Sequence, residues 1–263
     1  MIDAHQHFWR LGVNDCTWPT PAEAAIHRDF LPGDWAALAP PLGVTGSVLV
    51  QSQESARDTD WLLELAEAHD FILGVVGWAN LKRGANWPQS PWLKGLRPMV
   101  QGYDADWLDD PALDPALSAM ADQELVFDAL VRPRHLTSLE RLALRHPRLS
   151  IIVDHGAKPD IAGGELRDWR EAMQRLAALP NVACKLSGLL TEAAPGQDAE
   201  VARVGEWLFA RFGAERLLWG SDWPVVELAG TYAGWLTLAR SIVPAEAHDA
   251  VFGGNAMRIY QLA

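Results

Sequence analysis

A chain of 263 residues, 49% hydrophobic and 21% charged, is long enough to bury one large core and ordinary in its charge content. Its formal net charge of −12 opposes nucleic acid and anionic membrane surfaces as partners, and no run approaches the roughly 18 apolar residues that a membrane span needs. Asp3 and His5 interrupt any basic-then-apolar leader, and Cys16 and Cys184, far apart, read as free thiols; the expectation is a reducing cytoplasm.

Taken in order, the chain alternates strand and helix signals. A short strand stub at 2–5 runs directly into the H-x-H of His5 and His7, and a long Pro- and Trp-rich connection, 9–45, follows. Next come an apolar strand at 46–51, a helix at 58–69 with Trp61, Leu62, Leu65 and Ala66 on one stripe, and a strand at 71–78. A second long connection, 82–94, leads to a weaker strand candidate at 95–101. Helix 115–123, strand 125–131, helix 136–146, strand 150–154, helix 165–179 and strand 182–186 alternate after it. Helix 200–212, strand 217–219, and helices at 232–242 and 245–252 complete the chain. Strands alternating with helices imply a parallel sheet. Eight repeats in a chain near the usual barrel length of about 250 residues favour a closed (β/α)8 barrel over an open sheet. No G-x-G-x-x-G follows a strand and there is no P-loop, so a nucleotide fold has no support.

Barrel active sites are built at the C-terminal ends of strands, which directs attention to the polar residues there. Residues two apart on an extended segment share a face, so His5 and His7 aim two imidazoles at one point, suiting a metal ion or an electrophilic carbonyl. Strand 150–154 ends at Asp154 and His155, with Asp154 expected on the opposite side of its strand from His155. The last strand leads into Gly220-Ser221-Asp222. Arg97 and Lys185 sit in strands facing the barrel mouth, either in internal salt bridges to Asp128 or Asp154 or in contact with substrate. Gln51, Gln53 and Gln101 end strands and could hydrogen-bond a polyol or simply pack. Lys158, Arg132 and Arg134 read as solvated loop cations, and His27, His69, His135, His146 and His248 as structural or solvated. Most of the thirteen tryptophans belong to core and loop packing. Trp9 and Trp223 each follow a strand end carrying a polar cluster, and so read as walls of a pocket suited to a sugar ring's apolar face.

These residues carry a resemblance. The chain resembles the metal-dependent hydrolase (amidohydrolase) superfamily, in particular its sugar-lactone hydrolases of the L-fuconolactonase and L-rhamnonolactonase type. The likeness rests on I-D-A-H-Q-H-F-W at 2–9, V-Q-S-Q-E-S at 50–55, G-L-R-P-M-V-Q at 95–101 and F-D-A-L-V-R-P-R-H-L at 127–136. It continues with V-D-H-G-A-K-P at 153–159, N-V-A-C-K-L-S-G-L at 181–189, L-L-W-G-S-D-W-P-V at 217–225 and F-G-G-N-A-M-R-I-Y at 252–260. It implies an α/β fold, a distorted (β/α)8 TIM barrel forming one domain over 1–263, and hydrolysis of an ester or amide-like bond. It matches His5 and His7 to the histidine ligands of the first strand, His155 to a histidine after a middle strand, and Asp222 to the aspartate of the last.

The departures from that pattern shape the expected chemistry. The fifth strand offers Asp128 but no histidine, and Met99 and Gln101 stand where the fourth strand would supply a bridging lysine. A two-metal site is therefore not expected. What remains is either no essential cofactor or one divalent ion, zinc, on His5, His7 and Asp222. Opening a lactone needs a base to activate water and a donor on the carbonyl oxygen. Asp222 is the candidate base, and His5, His7 and His155, or the metal, the candidate polarising groups. Arg97, Lys185, Gln51, Gln101, Trp9 and Trp223 are the candidate substrate contacts. The expected partner is a small sugar lactone, with a homodimer as the candidate assembly and no nucleic acid or membrane. Two alternatives stay open: a lactonase or decarboxylase acting on a dicarboxylate of the pyrone-dicarboxylate kind, and a non-enzymatic barrel that binds a sugar acid.

Overall fold

The computed structural model describes residues 1–263. Eight parallel strands follow one another around the sheet in chain order, with each strand paired to the next: β1 (Ile2–Gln6), β2 (Gly46–Val50), β3 (Ile72–Gly77), β4 (Leu93–Leu96), β5 (Val126–Ala129), β6 (Ile151–Val153), β7 (Val182–Leu186) and β8 (Leu217–Trp219). The barrel closes just beyond the ends of β8 and β1. There the Asp222 amide donates to the His5 carbonyl at 2.8 Å and the His7 amide to the Trp223 carbonyl at 2.8 Å. The seam of the barrel therefore lies at the two segments that carry the candidate chemistry.

Helices α1 (Pro32–Leu38), α2 (Ala56–Ala68), α3 (Asp114–Asp122), α4 (Leu136–Arg145), α5 (Arg167–Ala177), α6 (Asp198–Arg216), α7 (Tyr232–Ile242) and α8 (Asn255–Ile259) pack around it. None is long and apolar enough to cross a membrane. Helix α1 lies inside what the sequence reads as a bare connection. Pro32 begins it, where a missing N–H costs nothing, and the Asp34 carboxylate accepts from the Leu31 amide at 2.9 Å. The link from β3 to β4 has only a short 3₁₀ turn, Leu81–Arg83, which is the main departure from regular alternation. Strand β4 starts earlier and stops sooner than 95–101, since Pro98 brings no N–H to a ladder. The expected helix at 245–252 is a 3₁₀ turn followed by an irregular wide turn at Ala250–Gly254, where Gly253 leaves helical geometry; regular helix resumes only at α8.

Alternation along the strands separates two cores. Phe127, Ile151, Val153, Val182, Cys184 and Leu217 face outward to the helices. Ala4, Val48, Val76, Val126, Ile152, Ala183 and Leu218 fill the barrel interior, closed below by Ala256, Tyr260 and Leu262 from the C-terminal segment.

Candidate active site

His5, His7, His155 and Asp222 meet at the C-terminal mouth of the barrel although they lie up to 217 residues apart in sequence. His7 Nε2 is 3.3 Å and His5 Nε2 3.6 Å from Asp222 Oδ1; the two imidazole Nε2 atoms are 3.2 Å apart, and His155 Nε2 is 3.9 Å from the same carboxylate oxygen. All four residues are buried. Two further hydrogen bonds aim the rings. His7 Nδ1 donates to the Val50 carbonyl at 2.8 Å, and His155 Nδ1 meets Ser187 Oγ at 2.9 Å.

Local backbone geometry presents two of these side chains. His155 and Asp222 both hold positive φ, at 53° and 56°, a costly conformation for non-glycine residues that recurs at functional sites. After β6 the chain runs through residues 155–158 entirely in the left-handed region. That turn resets the strand alternation, so Asp154 and His155 both enter the barrel; the expected opposite placement of Asp154 does not occur. Gly188 makes room for the histidine, since a Cβ there would lie 2.5 Å from His155 Nδ1.

Beneath the mouth lies a fully buried charged layer. Lys185 hydrogen-bonds Asp128 and, at 3.1 Å, His5 Nδ1, and its Nζ lies 3.0 Å from Asp154 Oδ1. The Tyr260 hydroxyl reaches up from α8's end to both Asp128 oxygens at 2.9 and 2.8 Å. Arg97 bonds the Gln51 carbonyl and approaches His5 Nε2 at 3.3 Å and Asp154 Oδ2 at 3.5 Å. Of the two readings open for Lys185, the internal salt bridge is the one present, and Lys185 does not line the cavity.

Burial and neighbours set the protonation states. Burial alone would raise the Asp222 carboxyl, but His155, the hydrogen bond from His7 and His5 outweigh it and hold it well below the usual carboxylate range. Burial pushes His155 down to about 4 and, with help from Lys185, pushes His5 well below its ordinary value. At neutral pH the site thus holds an ionised Asp222 beside uncharged His5 and His155.

The cavity above this group measures about 250 Å³, a size for one small ligand. His7, His155, Asp222, Arg97 and Gln101 line it as expected, while His5, fully buried beneath them, does not. Trp9 and Trp223 do not. Trp9 pairs with Phe30, donates its indole N–H to the Arg28 carbonyl and packs edge-on to Trp18. Trp223 is buried against Phe8 and Phe30, its indole N–H on Glu227. The aromatic wall is Trp18, from the long first connection, and nothing in its local sequence marks it. Gln51 is packed rather than presented, its amide donating to the Arg97 carbonyl at 2.7 Å. Gln53 likewise spends its amide on the Trp18 carbonyl and the Thr17 N–H, fixing that wall in place. Lys158, expected to be solvated, lines the cavity with its ammonium 3.5 Å from Glu192.

The donor set also fits one metal ion. Ligand atoms on a tetrahedral zinc with bonds of about 2.0–2.1 Å stand roughly 3.3 Å apart. The separations among His5 Nε2, His7 Nε2 and Asp222 Oδ1, 3.2–3.6 Å, match one face of such a tetrahedron. A second group, His5, Asp154 and His155, also brings its ligand atoms within 4.8 Å of one another, but it shares His5 with the first, and the Lys185 ammonium lies 3.0 Å from Asp154 Oδ1.

Residues 2–262 match the family model described as amidohydrolase. The chain belongs to the amidohydrolase family. It is 46% identical to an L-fucono-1,5-lactonase of Burkholderia ambifaria, across 99% of this chain and 95% of that protein, and 35% identical to an L-fucono-1,5-lactonase of Burkholderia multivorans, across 99% and 96%. A solved amidohydrolase structure from Burkholderia multivorans with bound zinc superposes with a TM-score of 0.93 at 33% identity, covering 100% of this chain and 99% of that one. The fold of the whole chain is thus that of this solved amidohydrolase.

Proposed function

We propose that this protein hydrolyses a sugar lactone to its aldonic acid, with L-fucono-1,5-lactone the first candidate substrate. The observation that carries the reading is a buried, ionised Asp222 beside uncharged His5 and His155 at a cavity sized for one sugar, in a chain 46% identical to a fuconolactonase over nearly its whole length. Asp222 accepts a proton from water as the water oxygen attacks the lactone carbonyl carbon. The carbonyl oxygen gains charge and takes hydrogen bonds from the imidazole N–H groups and Arg97. Collapse of the tetrahedral species breaks the ring C–O bond, and the proton held by Asp222 passes to the departing ring oxygen, which becomes a hydroxyl. Arg97, Gln101 and the face of Trp18 orient the sugar, and Lys158 adds a second cation at the rim. If one zinc ion is held by His5, His7 and Asp222, it supplies Lewis-acid polarisation of the carbonyl. A cytoplasmic setting fits the free thiols of Cys16 and Cys184.

The dicarboxylate alternative loses Lys185, which is committed to Asp128 and Asp154, and keeps only Arg97 and Lys158 as cavity cations. A panel of aldonolactones and pyrone dicarboxylates, followed with a pH indicator in weak buffer, tests the reading, because each turnover releases one proton. The expected outcome is turnover of L-fucono-1,5-lactone or a stereochemical neighbour, with part of that activity surviving chelation. Activity on the dicarboxylates alone, or on no member of the panel, overturns it.

A further inference from the structure

Strand β1 is not regular. Its pairing passes from Asp3 opposite Ser47 to Gln6 opposite Leu49, three steps along β1 against two along β2, so one extra residue is inserted in the stretch that carries His5. Ala4 packs into the apolar interior, and its neighbour His5 also points inward, onto Lys185 and Asp154. Plain alternation forbids two consecutive inward residues; a bulge permits them and leaves its extra residue out of the ladder. The His5 N–H is met by a side chain, Asp3 Oδ1, at 3.2 Å. We propose that Asp3 is a positioning residue: its carboxylate holds the bulge that turns His5 into the barrel and ties that bulge to the segment carrying Asp222. The expected effect on turnover rests on the lactonase reading; the geometric role does not.

The same oxygen makes the tie. Asp3 Oδ1 also accepts the Ser221 N–H at 2.8 Å, and that amide has no backbone acceptor. The Gly220 N–H points the other way, to the Leu186 carbonyl of β7 at 3.2 Å, and the His5 carbonyl is taken by the Asp222 amide at 2.8 Å. Asp3 Oδ1 thus stands where a regular ladder between β8 and β1 would offer a carbonyl. The two backbones come so close here that a Cβ on Gly220 would lie 2.6 Å from His5 Cβ. On the outer side, Asp3 Oδ2 accepts the Tyr232 hydroxyl of α7 at 3.0 Å. Nearly one helical turn further on, the Trp235 indole N–H donates to the Gly220 carbonyl at 2.8 Å. Asp3 is fully buried, and all three of its partners are donors, which suits a group that only accepts. It does not line the cavity. What it fixes is the stance of the His5 backbone against Ser221, and Asp222 is the next residue. A shift of this seam therefore moves the candidate base against the imidazoles.

Three variants test this. Asp3→Ala strips the acceptor from both amides. Asp3→Asn keeps one oxygen for them and turns its NH2 to Tyr232, whose hydroxyl oxygen can accept. In crystal structures, the 3.6 Å between His5 Nε2 and Asp222 Oδ1 should widen in Asp3→Ala and be kept in Asp3→Asn. On the best lactone, well below the unfolding temperature, kcat of Asp3→Ala should fall at least about tenfold with KM little changed, because a misplacement of about 1 Å can cost about 10²-fold. Asp3→Asn should restore most of that loss. Tyr232→Phe separates positioning from stability: it removes only the contact to Oδ2, so the fold should be weakened and kcat kept. A folded Asp3→Ala with the native separation or native kcat overturns the proposal. So does an Asp3→Asn or a Tyr232→Phe that loses as much kcat as Asp3→Ala. Should Asp3→Ala fail to fold, Asp3→Ser, whose hydroxyl sits one bond short of Oδ1, takes its place under the same criteria. If the wild type opens no lactone, the lactonase reading fails and the crystallographic separation decides the role of Asp3 alone.

Discussion

Inside the barrel, Val126, Ile152 and Ala183 pack with Val48, Val76 and Leu218 in a wholly apolar layer, whereas two residues further along the same three strands stand Asp128, Asp154 and Lys185. One step of strand period, about 6.6 Å of rise, separates residues that hold the barrel shut from residues that hold charges out of water. The lower layer gains free energy from burial alone. The upper layer is tolerable only because each ion has partners. Lys185 and Arg97 offset Asp128 and Asp154, and Tyr260 adds two hydrogen bonds to Asp128. Burial still pushes Asp128 up to about 6, while Lys185 and His5 outweigh the same effect on Asp154 and hold it well below the carboxylate range. A third level, the cavity with Asp222, sits on top of this charged floor. The comparison predicts that changes at the top cost turnover, changes in the middle cost both, and changes at the bottom cost stability alone.

The largest effect is expected at the top. Asp222→Asn keeps the shape and the Val226 amide contact to its own backbone carbonyl but cannot accept a proton. Turnover on the best lactone should fall by about 10²–10⁴-fold with KM little changed and the unfolding midpoint preserved. If the variant retains a tenth or more of wild-type kcat, the base lies in the middle layer, and Asp128 or Asp154 is next to test.

Second is a pH effect on stability at the same level. His155 is held near 4 against an ordinary 6.5, so between those values the unfolded chain binds more protons than the folded one. Stability from this group is therefore fully present above pH 6.5 and is lost as pH falls toward 4, a change on the order of 3 kcal/mol. Asp3, Asp58 and Asp128, raised by burial to about 6, 7 and 6, contribute with the opposite sign over the same window. The difference between wild type and His155→Asn in urea unfolding across pH 4–7 isolates the histidine. Parallel curves would mean that His155 is not held neutral by the fold.

The layering also explains what the sequence could disclose. Period-2 alternation, strand-end polar residues and the H-x-H pair made the barrel, His5, His7 and the Lys185 salt bridge legible, because these depend on strand geometry, whereas Asp222, three residues past β8 at positive φ, was legible through its motif. Alternation says nothing once φ changes sign. Asp154 follows Ile152 into the barrel by alternation, and the left-handed turn at 155–158 then brings His155 inward beside it and sets Lys158 at the rim; no local pattern announces that turn beyond Gly156. The same holds for Trp18. It reaches the cavity through a long connection held by Gln53, while Trp9 and Trp223, adjacent to strand ends, are turned back into the core by pairing with Phe30 and Glu227. Adjacency in sequence is a poor guide to where a loop side chain points, since loop direction is fixed by tertiary hydrogen bonds.

Third in size is Tyr260→Phe, which removes a hydroxyl donor from a buried carboxylate without changing the ring that caps the apolar layer. A hydrogen bond to a charged acceptor contributes about 1.5–3 kcal/mol. Thermal or urea unfolding should show a loss of that order, accompanied by a modest decrease in kcat as Asp128 and Lys185 readjust beneath His5. A stability loss with kcat wholly unaffected would show that the charged layer is uncoupled from the site and would separate the two upper levels.

The smallest effect belongs at the bottom. Ile152→Val removes one methylene from a fully buried side chain in the apolar layer, two residues before Asp154 on the same strand. The lost transfer energy and the small void together should cost about 0.5–1.5 kcal/mol. Because β-branching is kept, the strand geometry that aims Asp154 has no reason to move, so kcat and KM should match wild type within error well below the unfolding temperature. If instead Ile152→Val lowers kcat severalfold while unfolding normally, packing in the lower layer is transmitted along β6 into the charged floor. Six to seven ångströms of strand would then be too short to insulate the chemistry from the core, and the separation of levels on which the other predictions rest would need to be replaced by a single coupled interior.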